Sequence, residues 1–204
     1  MKYRTVLGII GLLGVFSSSA FAAETPLEAV KSRIDQVIRI MGKDSTKSME
    51  EKRAEARKIA VQTFDYTEIS RRAMGLHWAK LNPAQQQQFT SLFSDLLFYD
   101  YLNKIQASIG DLQRVQYSAG PSDGKFATVN TIIVTKKQGN IPANYRLHQP
   151  AEVWLIYDIL IEGVSLVSNY RAQFNKMMTS NREGFEFIVR QISEKVEGFR
   201  RKGT

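Results

Sequence analysis

Hydrophobic side chains recur every three or four positions in the first half of the chain, which is typical of amphipathic helices. The first series starts at Leu27 and continues through Val30 and Ile34. Thr25, Pro26 and Glu28 stand where a helix N-cap, the first helical position and the third are expected. Further helices are predicted after Asp65 and after Asn82-Pro83.

The helix predicted after Asn82-Pro83 is the longest, and it is apolar on almost all sides. Such a helix is either buried on most sides or lines a cavity. Buried core is the commoner outcome, and the pattern alone leaves both open. The stripe consists of Phe89, Leu92, Phe93, Leu96, Leu97 and Tyr101, widened by Phe98, Tyr99 and Leu102.

The second half of the chain changes to the two-residue period of strands. Strands are predicted at 115–119, 126–134, 145–147 and 151–161, and their short connections favour antiparallel neighbours. The last strand is apolar on both faces, so it needs cover on both sides. An extended run is predicted past Gly163 through Leu166 and Val167, with helices from Asn169 and around Phe185. The predicted fold class is therefore α+β, a curved antiparallel sheet with helices packed around it.

The N-terminus has the three parts of a signal peptide. Lys2 and Arg4 precede an apolar segment at 6–16, and Ala20-Phe21-Ala22 fits a small-x-small cleavage site. An eleven-residue apolar helix spans about 16 Å, roughly half of a bilayer core, so a permanent anchor is disfavoured. We expect a cleaved signal peptide at 1–22 and one domain at 23–204, outside the cytoplasm.

The charge after cleavage narrows the choice of partner. The chain has 28 Lys and Arg and 20 Asp and Glu, so losing Lys2 and Arg4 leaves 26 against 20, a net charge of +6. Export argues against nucleic acid, and anionic lipid headgroups and acidic protein surfaces fit better. The chain has no Cys, so its stability is expected to come from packing.

The sequence shows no recognisable set of catalytic residues. Asp158 and Glu162 would lie about 13 Å apart on one extended strand. That exceeds the roughly 5–9.5 Å between paired carboxylates in glycosidases, although a bend near Gly163 could shorten it. His77 and His148 have no partner at metal-ligand spacing. We predict that the protein is not an enzyme and needs no metal or cofactor.

One sequence motif is specific enough to suggest a protein family. Residues 154–165 read W-x-x-Y-D-x-x-x-E-G-V-S, followed by Asn169-Tyr170-Arg171 and Phe174; Asp65-Tyr66 and Pro83-Ala84-Gln85 extend the likeness. This pattern resembles the periplasmic phospholipid-binding proteins of the Mla lipid-transport system, the toluene-tolerance (MlaC-like) family.

The resemblance implies a cone-like sheet of the nuclear-transport-factor-2 type with an apolar cavity. It places a helical part at about 46–110, the sheet at about 112–167 and C-terminal helices at about 169–200. The implied function is a soluble periplasmic carrier that shuttles a phospholipid, its cargo, between outer and inner membranes. The implied partners are an inner-membrane ABC transporter with a ring of lipid-transfer domains and an outer-membrane lipoprotein–porin complex, with no nucleic acid.

Candidate site residues follow from this implied function. Arg171 and Lys176 are candidates for a headgroup rim, although Arg171 could instead pair with Asp158 or Glu162. Arg71 and Arg72 are candidates for partner docking. The predicted lipid-binding residues are Ile69, Met74, Leu92, Phe93, Leu96, Val129, Ile133, Trp154, Ile156, Val164, Leu166, Tyr170, Phe174 and Met177.

Two rival functions stay open. One is a hopanoid carrier of the same family, and the other is an enzyme or binding module for a non-lipid small molecule on the same fold.

Overall fold

The structure, a computed structural model, describes residues 24–42 and 45–202. The predicted signal peptide at 1–22 lies outside these residues. The helices are α1 (Pro26–Met41), α2 (Met49–Thr63), α3 (Tyr66–Met74), α4 (Pro83–Ser108), α5 (Leu166–Ser180) and α6 (Phe185–Lys202), with 3₁₀ turns at Gly75–Lys80 and Ile109–Asp111. The strands are β1 (Leu112–Ser122), β2 (Phe126–Thr135), β3 (Gly139–His148), β4 (Leu155–Ile161) and β5 (Val164–Ser165).

Local sequence signals set the helix starts. Thr25, Ser48 and Asn82 cap α1, α2 and α4 in reciprocal capping boxes with the residue three positions on. Asp65 caps α3 by accepting a hydrogen bond from the backbone N–H of Glu68. Each cap satisfies otherwise unpaired N–H groups and stabilises its helix by about 1 kcal/mol.

The five strands form one antiparallel sheet in the order β1-β2-β3-β4-β5. β4 contains a bulge: Arg146 pairs with Asp158 and Leu147 with Ile156, so Tyr157 is the extra residue. Because a bulge shifts the alternation by one position, the apolar residues before and after Tyr157 can point to the same side.

The connection from β4 into α5 differs from the prediction. Glu162 and Gly163 both have positive φ, 51° and 81°, which is the backbone of a type I′ hairpin turn. β5 then has only two residues, and α5 begins at Leu166 rather than at Asn169. The helix starts early because the Ser165 side chain caps it by accepting from the backbone N–H of Ser168.

The interior divides into packing clusters. The largest lies between α3, α4, α5 and α6, and it includes Phe89, Phe93 and Phe174. A second cluster packs α1 against the sheet, and a third joins α1, α2 and α4. The α+β prediction is confirmed. Within the residues that the structure describes, no helix combines the length and apolar character needed to cross a membrane.

Candidate functional site

A cavity of about 670 Å³ lies between one face of the sheet and helices α1, α2 and α4. This volume is within the range of pockets that hold small organic ligands. Inward-facing strand residues form its floor. Val115 pairs with Ile133, which pairs with Ile141, and four residues further along β3 Tyr145 pairs with Ile159.

The β4 bulge shapes this floor. Ile156 and Ile159 both line the cavity although they are three positions apart, a separation that strict alternation would send to opposite faces. The extra residue, Tyr157, lies between them and shifts the alternation of side chains between the two faces by one position.

The helices form the roof. α4 contributes its C-terminal half, where Phe98, Tyr101 and Ile105 line the cavity. Tyr117 holds α1 over the sheet, because its hydroxyl donates a 2.7 Å hydrogen bond to Asp35 of α1. The lining residues of α1 and α2 are Val30, Arg33, Ile34, Val37, Ile38, Ala56, Ile59, Ala60 and Thr63.

The solvent-exposed lining residues mark the mouth. Lys104, Ala107 and Ser108 are exposed at the end of α4, and Gln138 is exposed in the β2–β3 turn. The cation here is already paired, since Lys104 lies 2.8 Å from Asp100. Next to Gln138, Lys137 lies 3.3 Å from Asp111, which also lines the cavity. A negatively charged group at this mouth therefore meets nearly neutral ion pairs rather than free cations.

Three tyrosine hydroxyls of the cavity lining bring no charge. Burial raises the pKa of Tyr66 and of Tyr145 to about 12 and also raises that of Tyr101, so these hydroxyls are neutral near pH 7. Their aromatic rings contribute apolar surface to the lining, and their hydroxyls contribute only dipoles.

Asp158 is a lining carboxylate that is only 4% exposed, and its oxygens are engaged by the protein. It accepts hydrogen bonds from the Ser165 hydroxyl at 2.7 Å and the Val167 backbone N–H at 3.1 Å, and it pairs with Arg146 at 3.2 Å. A carboxylate at a helix N-terminus is stabilised by the helix dipole. Asp158 thus fastens α5 to β4.

The structure brings four of the fourteen predicted lining residues to the cavity: Ile69, Ile133, Ile156 and Leu166. The other ten do not line it. Met74, Phe93, Leu96 and Phe174 are buried in the cluster of α3 to α6, and Leu92, Tyr170 and Met177 pack against that cluster. Val129 and Trp154 are buried between α1 and the sheet, and Val164 is 64% exposed.

The predicted rim residues also lie away from the cavity lining. Arg171 donates a 2.6 Å hydrogen bond from Nε to the backbone carbonyl of Arg72, and Lys176 is exposed on α5. Asp158, an alternative partner considered for Arg171, pairs with Arg146 instead. Arg71 and Arg72 both bind Glu68 at 2.7 Å.

Sequence reasoning missed the contribution of α1 and α2. The periodic apolar residues of α1 could be recognised in the sequence. However, the spacing of apolar residues is the same in a helix that covers a cavity and in one that packs on a core. α2 carries many charges, and its small lining residues, Ala56 and Ala60, give no hydrophobic stripe.

The described part of the chain contains no group of three or more His, Cys, Asp or Glu side chains placed to hold a metal ion.

Comparisons with known proteins find a matching family, a relative in sequence and a solved structure of similar fold. The profile of a protein family described as MlaC protein matches residues 31–194. The toluene tolerance protein ttg2D of Pseudomonas putida is 25% identical over 178 residues, which cover 85% of this chain and 82% of that protein. A solved structure of a phospholipid-binding protein from Ralstonia solanacearum, in complex with a phospholipid, matches with a TM-score of 0.70. It is 22% identical, and the match covers 85% of this chain and 97% of that one, which shows a shared fold.

Proposed function

The chain belongs to the MlaC protein family, and we propose that it is a soluble periplasmic carrier that binds a phospholipid by its acyl chains and moves it between the outer and inner membranes. The observation that carries this proposal is the apolar cavity between the sheet and helices α1, α2 and α4.

The energetics of a free lipid explain why such a cavity is needed. Two chains of about sixteen carbons carry about 28 methylenes, and exposing them to water costs on the order of 20 kcal/mol at about 0.8 kcal/mol each. A carrier has to bury most of this surface without leaving polar groups unpaired. The isoleucine-rich floor supports this role, because it offers apolar surface to the chains.

The relatives support the choice of cargo. The Ralstonia solanacearum protein of the same fold was solved in complex with a phospholipid. The four predicted residues that line the cavity here, Ile69, Ile133, Ile156 and Leu166, are proposed as acyl-chain contacts, together with the lining residues of α1 and α2.

The ion pairs at the mouth of the cavity bear on where the lipid headgroup lies. Lys104 and Lys137 are paired with Asp100 and Asp111, so neither offers a free cation to a phosphate. We propose that the headgroup stays in water at the end of α4, and that the carrier accepts different headgroups as long as the chains fit.

The cellular role follows the family resemblance. The signal-peptide pattern at the N-terminus supports the periplasm as the place of action. The proposed partners are an inner-membrane ABC transporter complex with a ring of lipid-transfer domains and an outer-membrane lipoprotein–porin complex. The chain contains no nucleotide-binding motif, so the energy for directed transport would come from the transporter or from differences in lipid affinity between the partners.

Mass spectrometry of the protein purified from a Gram-negative periplasm tests the proposal. Under native conditions we expect one bound glycerophospholipid per protein, and under denaturing conditions a mature chain starting near Ala23. A bound triterpenoid would favour hopanoid transport, and a protein that never carries lipid would contradict the carrier role.

A further inference from the structure

The surface formed by α3, the following 3₁₀ turn and α5 is a second candidate site. It is defined here as the α3–α5 face and consists of Arg71, Arg72, Leu76, Lys80, Arg171 and Lys176. None of these six residues lines the cavity.

The α3–α5 face is held rigidly. The His77 ring and Asn175 side chain hydrogen-bond at 2.9 Å, which ties the 3₁₀ turn to α5. Gly75 has φ +54°, and the aliphatic part of Arg171 would lie 3.4 Å from a Cβ placed there. Arg171 Nε also donates to the Arg72 carbonyl. The turn is thus fixed by glycine backbone geometry and by two side-chain contacts.

This rigid turn presents Leu76 to solvent. The Leu76 side chain is 91% exposed, while Trp78 of the same turn packs into the helical core. A single exposed leucine needs no explanation on its own. Leu76 is informative because it belongs to a face that is otherwise made of basic residues.

The face is strongly basic. α5 contains Arg171 and Lys176 and no acidic residue. Lys80 lies one 3₁₀ turn beyond His77 and so projects from the same side of the turn. Within the residues that the structure describes, Lys80, Arg171 and Lys176 form no ion pair with a carboxylate.

Glu68 offsets only part of this charge. Its hydrogen bonds to Arg71 and Arg72 lower the pKa of the Glu68 carboxyl to about 2, so Glu68 is charged at neutral pH, and Asp65 is a second carboxylate that acts on Arg71. The five cations of the α3–α5 face therefore outnumber the two carboxylates that act on Arg71, and the exposed Leu76 lies on the turn between α3 and α4.

We propose that the α3–α5 face docks onto an acidic surface of a membrane-held lipid-exchange protein, with Leu76 seated in an apolar socket surrounded by carboxylates. Charged rims steer association, and a central apolar contact lengthens the lifetime of a complex. A membrane surface fits less well, because peripheral helices insert a broad apolar face, whereas Leu76 is the only exposed large apolar side chain on α3, the following 3₁₀ turn and α5.

The position of the α3–α5 face relative to the cavity mouth matters for the proposed carrier role, on which this inference rests. The α3–α5 face shares no residue with the mouth at Lys104, Ala107 and Gln138. Docking and lipid passage would therefore use separate surfaces.

The test measures association of the lipid-loaded mature protein with the proposed inner-membrane transporter complex, purified in nanodiscs of zwitterionic lipid. The test variant is Lys80→Glu with Lys176→Glu, which leaves the Arg171 contacts intact. The matched control is Lys58→Glu with Lys195→Glu, two exposed lysines of α2 and α6 that give the same change in net charge.

We expect the test variant to associate at least about tenfold more slowly at low salt, with a weaker salt dependence, while the control stays close to wild type. Leu76→Ser should speed dissociation, whereas Val61→Ser, changed at a site 60% exposed on α2, should not. All variants should retain bound phospholipid and wild-type melting temperatures.

Equal slowing by the control, or no effect of the test variant, would overturn the docking proposal. So would a variant that loses binding to protein-free vesicles containing phosphatidylglycerol while its binding to the transporter is unchanged. These outcomes differ from failure of the carrier role, in which the wild-type protein itself would carry no phospholipid.

Discussion

Filling the cavity from the α2 side should abolish lipid binding. Ala60 lines the cavity, and Ala60→Phe would place a six-carbon ring where acyl chain is proposed to lie. Six displaced methylenes at about 0.8 kcal/mol each amount to about 5 kcal/mol of lost burial. Since about 1.4 kcal/mol corresponds to tenfold, the affinity for phospholipid should fall by roughly three orders of magnitude or more.

Ala54→Phe is the matched control. Ala54 is exposed on the same helix, so both substitutions carry the same small loss of helix propensity. Delipidated variants would be titrated with a fluorescent phospholipid, and native mass spectrometry would measure the lipid that each retains on purification. Thermal melts monitored by circular dichroism would verify that both variants fold.

If folded Ala60→Phe bound phospholipid within about threefold of Ala54→Phe, the acyl chains would not occupy this cavity, because the predicted loss is several hundred times larger. The cavity lining would then have to be explained by another ligand.

Four further substitutions test the structural roles assigned to single residues. Asp158→Ala removes a buried carboxylate that holds the start of α5 and leaves the buried Val167 N–H unpaired, so it should lower the free energy of unfolding in urea by about 1–3 kcal/mol; a change below about 0.5 kcal/mol would refute its anchoring role. Glu68 has its pKa lowered to about 2, so its stabilisation is complete above its unfolded value of 4.5 and is lost as the pH falls towards 2. Urea midpoints across this interval should therefore depend less on pH in Glu68→Gln than in wild type. Gly163→Ala, at φ +81°, should lower the melting temperature, whereas Gly198→Ala in open space on α6 should raise it, each by the equivalent of about 1 kcal/mol; equal signs would contradict the assigned backbone roles.

The elements whose signals are local could be predicted from the sequence. Thr25 and Asn82 mark the starts of α1 and α4 because a cap acts within one helical turn. The start of α5 was harder to predict, since it also depends on Asp158, a residue eight positions before Leu166 whose position the hairpin turn determines. The pattern around Gly163 indicated a bend but not that the chain becomes helical so soon after it.

The cavity residues could be predicted only in part, because hydrophobicity does not tell a side chain facing protein from one facing a void. The apolar stripe of α4 illustrates this. Phe89 and Phe93 in its first half pack against α5, whereas Phe98 and Tyr101 in its second half line the cavity. The difference comes from where α5 and α6 end relative to α4, which is a property of the tertiary arrangement.

The extra residue in β4 makes the shape of the cavity, the chamber between sheet and helices, sensitive to the length of the strand. Deleting Tyr157 would hardly alter the hydropathy of the strand, yet it would restore a strict two-residue rhythm and turn Ile156 or Ile159 away from the chamber. Relatives that adjust the chamber during evolution should therefore exchange side chains along β4 freely while keeping its residue count constant.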